Sequence, residues 1–340
     1  MTGYVPGEQP AAGQRVVKLN TNEAAFPPSD AVLEAIRNVS AEDLRRYPDP
    51  RATKFRQAVA DRFDVPLDMV IAGNGSDDIL TIVTRAYVPP GGRVAAPWPT
   101  YSLYPTLCQI QGSEFVGVDW NDGWSLPTDD LLKTKADAIY LANPNAPSGT
   151  VVPIDEIADL ATRHKGLLLI DEAYADYADG HCVELSKQHK NVIVSRTLSK
   201  GYALAGLRLG YAIADAEVMQ ELDKVRDSYN VDVVAQAVGI AAIRDDASAE
   251  RLWSHVRDER KRLTHELEQL DFYVELSHAN FVLAKREDAQ NCFEALKANG
   301  VLVRYWDKPE LSQYIRITVG TTAENNAVIA CLKQMKVLVP

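Results

Sequence analysis

The chain has 340 residues, of which 46% are hydrophobic and 24% are charged, as in an ordinary globular protein. This length exceeds that of most single compact units, so we expect two packed domains. The net charge of -11 argues against non-specific nucleic-acid binding, and no apolar run approaches the about 18 residues of a membrane span.

The N-terminus lacks the basic and apolar pattern of a signal peptide. The four cysteines are widely separated, and the six histidines show no metal-ligand spacing. We therefore expect a cytoplasmic protein with reduced, mostly buried thiols and no metal site.

Between residues 69 and 214, short apolar runs alternate with helical patterns, which predicts a largely parallel sheet. The predicted strands are residues 70–71, 93–96, 138–141, 167–170, 192–194 and 209–213. From residue 249 to 270, apolar residues recur at near-helical intervals among charges, which predicts a long amphipathic helix. The alternating runs that follow, at 272–274, 280–283, 301–304 and 315–317, predict a small α+β domain.

The first candidate binding motif is a strand followed by a glycine turn and a helix, at residues 69–80. Gly75 frees backbone amides at the start of this helix, which opens with Ser76 and Asp77, and such helix N-termini bind phosphate. The signal is weak by itself, because strand–glycine–helix turns are common in α/β proteins. Tyr101, after the next strand, would either stack on a flat cofactor or pack as a loop aromatic.

A second motif follows the predicted strand at residues 167–170, where Asp171 stands at the carboxyl end. Open α/β sheets place ligand chemistry at this edge. A carboxylate there can hold a pyridine nitrogen protonated, which makes the ring an electron sink. Tyr174 could reach the ring's 3-oxygen with its phenol. A helix N-cap and a metal ligand remain alternatives for Asp171.

The most informative segment is SRTLSKGYALAGLR, residues 195–208, which follows an apolar run. It places Lys200 among small residues, beside the hydroxyls of Thr197 and Ser199. Arg208 offers a forked cation suited to a phosphate dianion. An amine beside an anion-binding cluster is what a pyridoxal phosphate site needs. A single lysine in a sequence is more often an exposed surface residue. Here, however, the other motifs supply the remaining groups of a pyridoxal phosphate site.

Together these motifs resemble those of the fold-type I, aspartate-aminotransferase-like pyridoxal phosphate enzymes and, within them, the histidinol-phosphate aminotransferase branch. The resemblance runs nearly end to end and rests on residues 4–10, 18–23, 47–50, 73–80, 99–101, 171–174, 196–209 and 314–320. It implies an α/β fold with a large cofactor-binding domain over residues 41–244, in which helices flank a mostly parallel sheet. Residues 245–340 would form a smaller α+β domain with the N-terminal arm, residues 1–40.

The resemblance also implies roles for individual residues. Lys200, Asp171 and Tyr174 would be catalytic. The cofactor contacts would come from Gly75, Ser76, Asp77, Tyr101, Asn145, Asp171, Tyr174, Thr197, Ser199, Lys200 and Arg208, and from Tyr47 of the other subunit of a homodimer.

Two late arginines bear on the substrate. An arginine on an alternating strand usually points to solvent. Here, however, Arg316 matches the position that holds the substrate α-carboxylate, and Arg304 matches the one that holds the substrate phosphate. Tyr4 and Asn22 match further substrate-facing positions, although Tyr4 also fits a disordered terminus.

The implied reaction transfers the amino group of histidinol phosphate to a 2-oxo acid, 2-oxoglutarate, giving imidazole acetol phosphate and glutamate in histidine biosynthesis. Lys200 would carry the cofactor and then act as the general base. An aromatic amino-acid aminotransferase or a phosphothreonine decarboxylase would share most of the motifs. A binding or regulatory protein of this fold without turnover is disfavoured, because Lys200, Asp171 and Arg316 are all present.

One departure from the family pattern concerns the loop NPNAPSG at residues 143–149. The asparagine that bonds the ring 3-oxygen in the family falls on Ala146. Either Tyr174 carries that oxygen alone, or Asn145 or a water substitutes. The missing charge-assisted bond corresponds to about 1.5–3 kcal/mol and would raise the pKa of the linkage between Lys200 and the cofactor. Asp78, where glutamate is commoner, is a milder change.

Overall fold

The computed structural model describes residues 7–11 and 13–338. The helices in this part of the chain are α1 (Asp30–Arg37), α2 (Ala41–Leu44), α3 (Thr53–Phe63), α4 (Ser76–Tyr87), α5 (Leu103–Gln111), α6 (Thr128–Lys133), α7 (Ile154–Arg163), α8 (Val183–Gln188), α9 (Ala216–Val225), α10 (Val233–Arg244), α11 (Asp246–Glu268), α12 (Ala289–Ala298) and α13 (Thr322–Leu338). Within these residues, none of the helices combines the length and apolar character needed to span a bilayer.

The strands in the same residues pair into three sheets. They are β1 (Val17–Lys18), β2 (Val70–Gly73), β3 (Arg93–Trp98), β4 (Glu114–Asp119), β5 (Ala138–Ala142), β6 (Leu167–Asp171), β7 (Val192–Thr197), β8 (Gly210–Ala214), β9 (Tyr273–Val274), β10 (Phe281–Lys285), β11 (Val301–Leu302), β12 (Arg304–Tyr305) and β13 (Tyr314–Thr318).

The large sheet has seven strands in the order β2-β8-β7-β6-β5-β3-β4, and only β8 runs antiparallel to its neighbours. Alternate residues of one strand enter separate cores: Leu168 and Ile170 pack on one face, and Leu167 and Leu169 on the other. Burial on both faces explains why the strands read as continuous apolar runs. The predicted strands and the mostly parallel sheet are confirmed.

Strand β4 was not predicted from the sequence. It lies at the edge of the large sheet, where it pairs only with β3. Its residues are exposed or half-buried, in contrast to the buried central strands. Gly117 interrupts its apolar residues, Phe115, Val116 and Val118, and a glycine inside a strand weakens the strand pattern.

The small sheet has four antiparallel strands in the order β12-β13-β10-β9. The prediction of one strand over residues 301–304 is wrong. Strand β11 pairs in parallel with β1, whereas β12 pairs with β13. The N-terminal segment supplies the partner for β11, so the chain changes sheets at Val303.

The long amphipathic helix is confirmed as α11, shifted slightly from the predicted bounds. Its N-cap residue is Asp245, whose side chain accepts a hydrogen bond from the backbone amide of Ser248. Val256, Leu263 and Leu267 line its buried face. The four cysteines are free and buried, as predicted. The division into domains at residues 41–244 stays a prediction.

Candidate active site

A cavity of about 210 Å³ opens at the carboxyl ends of the parallel strands, and residues of the small sheet close its other side. Most of the predicted site residues line this one cavity. They are Asn22, Ser76, Asp77, Tyr101, Asp171, Tyr174, Thr197, Ser199, Lys200, Arg208, Arg304 and Arg316. The topology thus brings together residues that lie up to about 300 positions apart in the chain.

Lys200 follows β7 and reaches across the cavity toward the N-terminal segment. Its Nζ donates a hydrogen bond of 3.0 Å to the backbone carbonyl of Thr21. Burial, together with the positive charge of Arg316, lowers the pKa of Lys200 to about 8. An appreciable fraction of the amine is therefore unprotonated near neutral pH, as a nucleophile or general base requires.

An anion-binding cluster lies where α4 begins. Gly75 precedes this helix with a φ of 87°, a backbone conformation that favours glycine. A Cβ at Gly75 would lie 2.7 Å from the Nη2 atom of Arg208, so the close approach of the guanidinium also requires glycine. Arg208 donates to the Oγ of Ser199 at 3.3 Å, and Thr197 donates to the same oxygen at 2.9 Å. The helix N-terminus, two hydroxyls and a guanidinium can together hold a phosphate.

Asp77, in the first turn of α4, fixes two neighbouring side chains of this cluster. One carboxylate oxygen lies 3.2 Å from Nη2 of Arg208, and the other accepts a hydrogen bond of 3.1 Å from the hydroxyl of Tyr101. The ring of Tyr101 in turn packs edge-on against Tyr104. Asp77 thus sets the directions of a cation and of an aromatic ring that both line the cavity.

Asp171 ends β6 and is 4% exposed. Its Oδ2 accepts a hydrogen bond of 3.0 Å from the hydroxyl of the fully buried Tyr104. Its Oδ1 is buried and has no hydrogen-bond partner among the described residues. Burial raises the pKa of Asp171 to about 7. A cationic N–H donor facing Oδ1 would satisfy this oxygen and stabilise the carboxylate.

Sequence reasoning missed Tyr104. Its hydroxyl orients Asp171, although the two residues lie on different elements, α5 and β6. The available signal was its position three residues after Tyr101, one helical turn further along. That spacing alone did not indicate which carboxylate the phenol would meet.

The phenol of Tyr174 accepts a hydrogen bond of 3.0 Å from the side-chain amide of Asn22. Its ring packs edge-on against Phe281, with centroids 5.0 Å apart. Ala146 belongs to the same small apolar cluster and lines the cavity beside it. The position where the family has an asparagine is therefore apolar here.

Arg304 and Arg316 stand directly opposite each other on the antiparallel pair of β12 and β13, and both line the cavity. Like charges opposite one another on a sheet are destabilising, so a bound anion between them would relieve a repulsion. The ring of Trp306 lies 5.6 Å from the Cζ of Arg304 and 5.3 Å from that of Arg316. This indole, also missed from the sequence, contacts both cations.

Three predicted residues do not enter the cavity. Asn145 is 1% exposed, and its side chain accepts from Thr100 at 2.8 Å and donates to Ser148 at 3.0 Å, so it ties its loop to the segment that follows β3. Tyr47 is 82% exposed and stacks on Tyr229. Gly75 does not line the cavity, but it allows the guanidinium of Arg208 to approach the backbone closely. Tyr4 lies outside the described residues.

Residues 14–332 match the pattern that defines the family described as aminotransferase class I and II. The chain belongs to this family. The aminotransferase named histidinol-phosphate aminotransferase 1 from Trichormus variabilis is 43% identical over 337 residues, which cover 98% of this chain and 96% of that protein. The resemblance seen in the sequence is thus confirmed.

Solved structures of aminotransferases have the same fold. That of histidinol-phosphate aminotransferase from Sinorhizobium meliloti in complex with pyridoxal-5'-phosphate is 26% identical, with a TM-score of 0.88 over 95% of this chain and 93% of that chain. A mutant of the Thermus thermophilus aspartate aminotransferase, 22% identical, has a TM-score of 0.82 over 96% of this chain and 98% of that chain. These similarities confirm the predicted aspartate-aminotransferase-like fold.

Proposed function

We propose that this aminotransferase transfers the amino group of histidinol phosphate to 2-oxoglutarate, giving imidazole acetol phosphate and glutamate in histidine biosynthesis. The observation that carries the proposal is that Lys200, Asp171 and the opposed pair Arg304 and Arg316 line a single cavity. The relative from Trichormus variabilis, similar over nearly its whole length, supports the choice of donor through its name.

The cavity fits pyridoxal 5'-phosphate, the cofactor of this family. The unpartnered Oδ1 of Asp171 matches a protonated pyridine nitrogen, and the N-terminus of α4 with Ser199 and Arg208 matches the phosphate. Lys200 supplies the amine for the aldehyde. When bound, this cofactor supplies an electron-accepting ring that stabilises a carbanion next to the reacting amine.

The residues that line the cavity each have a separate role in the reaction. Nζ of Lys200, with its pKa lowered to about 8 by burial, takes the proton from Cα of the amino donor. Asp171 would hold positive charge at the ring nitrogen of the bound cofactor, and Tyr104 keeps the carboxylate of Asp171 oriented. The phenol of Tyr174 would donate a hydrogen bond to the ring oxygen. Each group acts from a position that its strand end or helix fixes before substrate arrives.

The arginine pair accounts for the two substrates. The phosphate of histidinol phosphate offers a dianion to Arg304 and Arg316, whose mutual repulsion it offsets. The carboxylates of 2-oxoglutarate can be held by the same guanidinium groups in the second half-reaction. An aromatic amino acid has no phosphate to offer to Arg304. Phosphothreonine has both a phosphate and a carboxylate, so the decarboxylase alternative is tested by its product.

A panel of amino donors with 2-oxoglutarate tests the proposal. We expect kcat/KM to be highest for histidinol phosphate, with glutamate and the keto product formed in equal amounts. Phenylalanine, tyrosine and phosphothreonine are the comparison donors. Preference for the aromatic donors would favour the aromatic aminotransferase, and release of CO₂ from phosphothreonine would favour the decarboxylase.

We also propose that the enzyme is an obligate homodimer in which Tyr47 reaches the cofactor phosphate of the partner subunit. Tyr47 is 82% exposed and Leu44 is 64% exposed, and both lie on the surface around α2. Exposed aromatic and apolar side chains of this kind are typical of a protein interface.

The free, buried cysteines support a cytoplasmic location.

Subunit mixing tests whether Tyr47 acts on the partner. The variants Tyr47→Ala and Lys200→Ala should each be impaired alone, Tyr47→Ala at limiting cofactor. Mixed dimers have one intact site if Tyr47 acts in trans, so refolding the two variants together in equal amounts should restore about a quarter of wild-type activity. Absence of recovery, or a fully active monomer in sedimentation at micromolar concentration, would contradict the proposal.

A further inference from the structure

Asn22 lies in an N-terminal turn whose conformation is fixed by hydrogen bonds to residues from the C-terminal part of the chain. It is 1% exposed and adopts a left-handed backbone conformation with a φ of 55°. Its backbone amide donates to the hydroxyl of Thr318 at 3.0 Å, and its carbonyl accepts from the side chain of Asn280 at 3.1 Å. Residues of the small sheet region thus hold the turn.

The hydrogen bonds of Asn22 determine which way its amide faces. The hydroxyl of Thr318 donates to Oδ1 of Asn22 at 3.1 Å, so this oxygen is an acceptor. The Nδ2 group is left on the side of Tyr174, to whose hydroxyl it donates at 3.0 Å. Tyr174 therefore accepts from Asn22 and directs its own proton to another acceptor.

The same turn also holds the candidate catalytic lysine. The carbonyl of Thr21, next in the chain to Asn22, accepts the hydrogen bond from Nζ of Lys200. Both reactive side chains follow strands of the large sheet, whereas the turn is anchored to Thr318 of β13. The turn of Thr21 and Asn22 thus connects the small sheet, through hydrogen bonds, to Lys200 and Tyr174, the two side chains expected to contact the cofactor.

The surroundings of Tyr174 give this amide a particular importance. The phenol ring packs against Phe281, and the neighbouring Ala146 has no polar group to offer. Asn145 is not a substitute, because its side-chain oxygen accepts from Thr100 and its side-chain nitrogen donates to Ser148. The side-chain amide of Asn22 donates to this phenol at 3.0 Å.

We infer that Asn22 is a positioning residue that fixes the phenol of Tyr174 as a hydrogen-bond donor to the ring oxygen of the cofactor, an inference that rests on the proposed function. A bond to this oxygen stabilises the form in which the linkage between Lys200 and the cofactor has lost its proton, because the oxygen's negative charge then has no adjacent cation. Loss of the Asn22 amide should therefore raise the pKa of that linkage.

The test is a pH titration of the absorbance of the bound cofactor in the holoenzyme. Tyr174→Phe should raise the pKa of the linkage by about one to two units, and Asn22→Ala by about half to one unit. Adding Asn22→Ala to Tyr174→Phe should give no further shift, because the amide acts through the phenol. Thr318→Val, which leaves Asn22 in place but removes the hydroxyl that orients it, should give a smaller shift in the same direction.

Asn325→Ala is the matched control. Asn325 is fully buried and bonds Gly320 and Glu259, but it does not contact Tyr174. Its replacement should lower the melting temperature and leave the cofactor pKa unchanged. The inference is overturned if Asn22→Ala and Thr318→Val lower the melting temperature without raising the pKa, while Tyr174→Phe still raises it. Absence of a pH-dependent cofactor band in the wild-type protein would instead overturn the proposed function.

Discussion

Replacing Lys200 with alanine is expected to lower the rate of transamination by about 10⁴-fold or more, because the change removes both the nucleophile and the general base. The amine lies in the cavity with its pKa lowered to about 8, and no other lysine among the described residues lines that cavity. Treatment of the yellow wild-type holoenzyme with borohydride should attach the cofactor irreversibly to Lys200. Mass spectrometry of the tryptic peptides locates the label.

Lys190→Ala is the control for this experiment. Lys190 is exposed and pairs with Glu217 outside the cavity, so its replacement should leave both turnover and labelling unchanged. Labelling of any other lysine in the wild-type protein, or no labelling at all, would refute the assignment of Lys200.

The second large effect is expected at Arg304. Its replacement by alanine should lower kcat/KM for histidinol phosphate by about 10- to 100-fold, because a charge-assisted contact to the phosphate is lost from a closed site. Activity with phenylalanine or tyrosine should change little, since these donors carry no phosphate. Arg316→Ala should instead impair substrates with an α-carboxylate, including 2-oxoglutarate, and histidinol phosphate to the extent that its phosphate shares Arg316.

Arg304→Lys keeps the charge but not the forked geometry, and it should retain part of the activity with histidinol phosphate. Steady-state kinetics with both classes of donor measure the difference. Equal losses on phosphorylated and aromatic donors would mean that Arg304 has a structural role. The aromatic aminotransferase would then be the better interpretation.

The central strands and the residues at their carboxyl ends could be predicted from the sequence alone. Lys200 and Asp171 each follow a continuous apolar run, and a parallel sheet brings such positions to one edge. The edge strand β4 was missed because Gly117 interrupts its apolar residues. The predicted strand over residues 301–304 failed because its pairing depends on β1, almost 300 residues earlier.

Contacts between elements were the least predictable part of the site. Tyr104 meets Asp171, and Trp306 contacts Arg316, only because packing brings separate elements together. Asn145 was expected at the cofactor from its place in the loop motif, and the structure shows its amide bonded to Thr100 and Ser148. Local spacing identifies which side chains are near a strand end, and tertiary packing decides where they point.

The half-reaction tests the central claim most directly. The purified holoenzyme is mixed with histidinol phosphate in the absence of any 2-oxo acid, and the products are identified by mass spectrometry. We predict imidazole acetol phosphate in an amount equal to the active sites, with the amino group kept on the protein-bound cofactor. Failure to form this keto product, while phenylalanine or tyrosine is converted under the same conditions, would contradict the account.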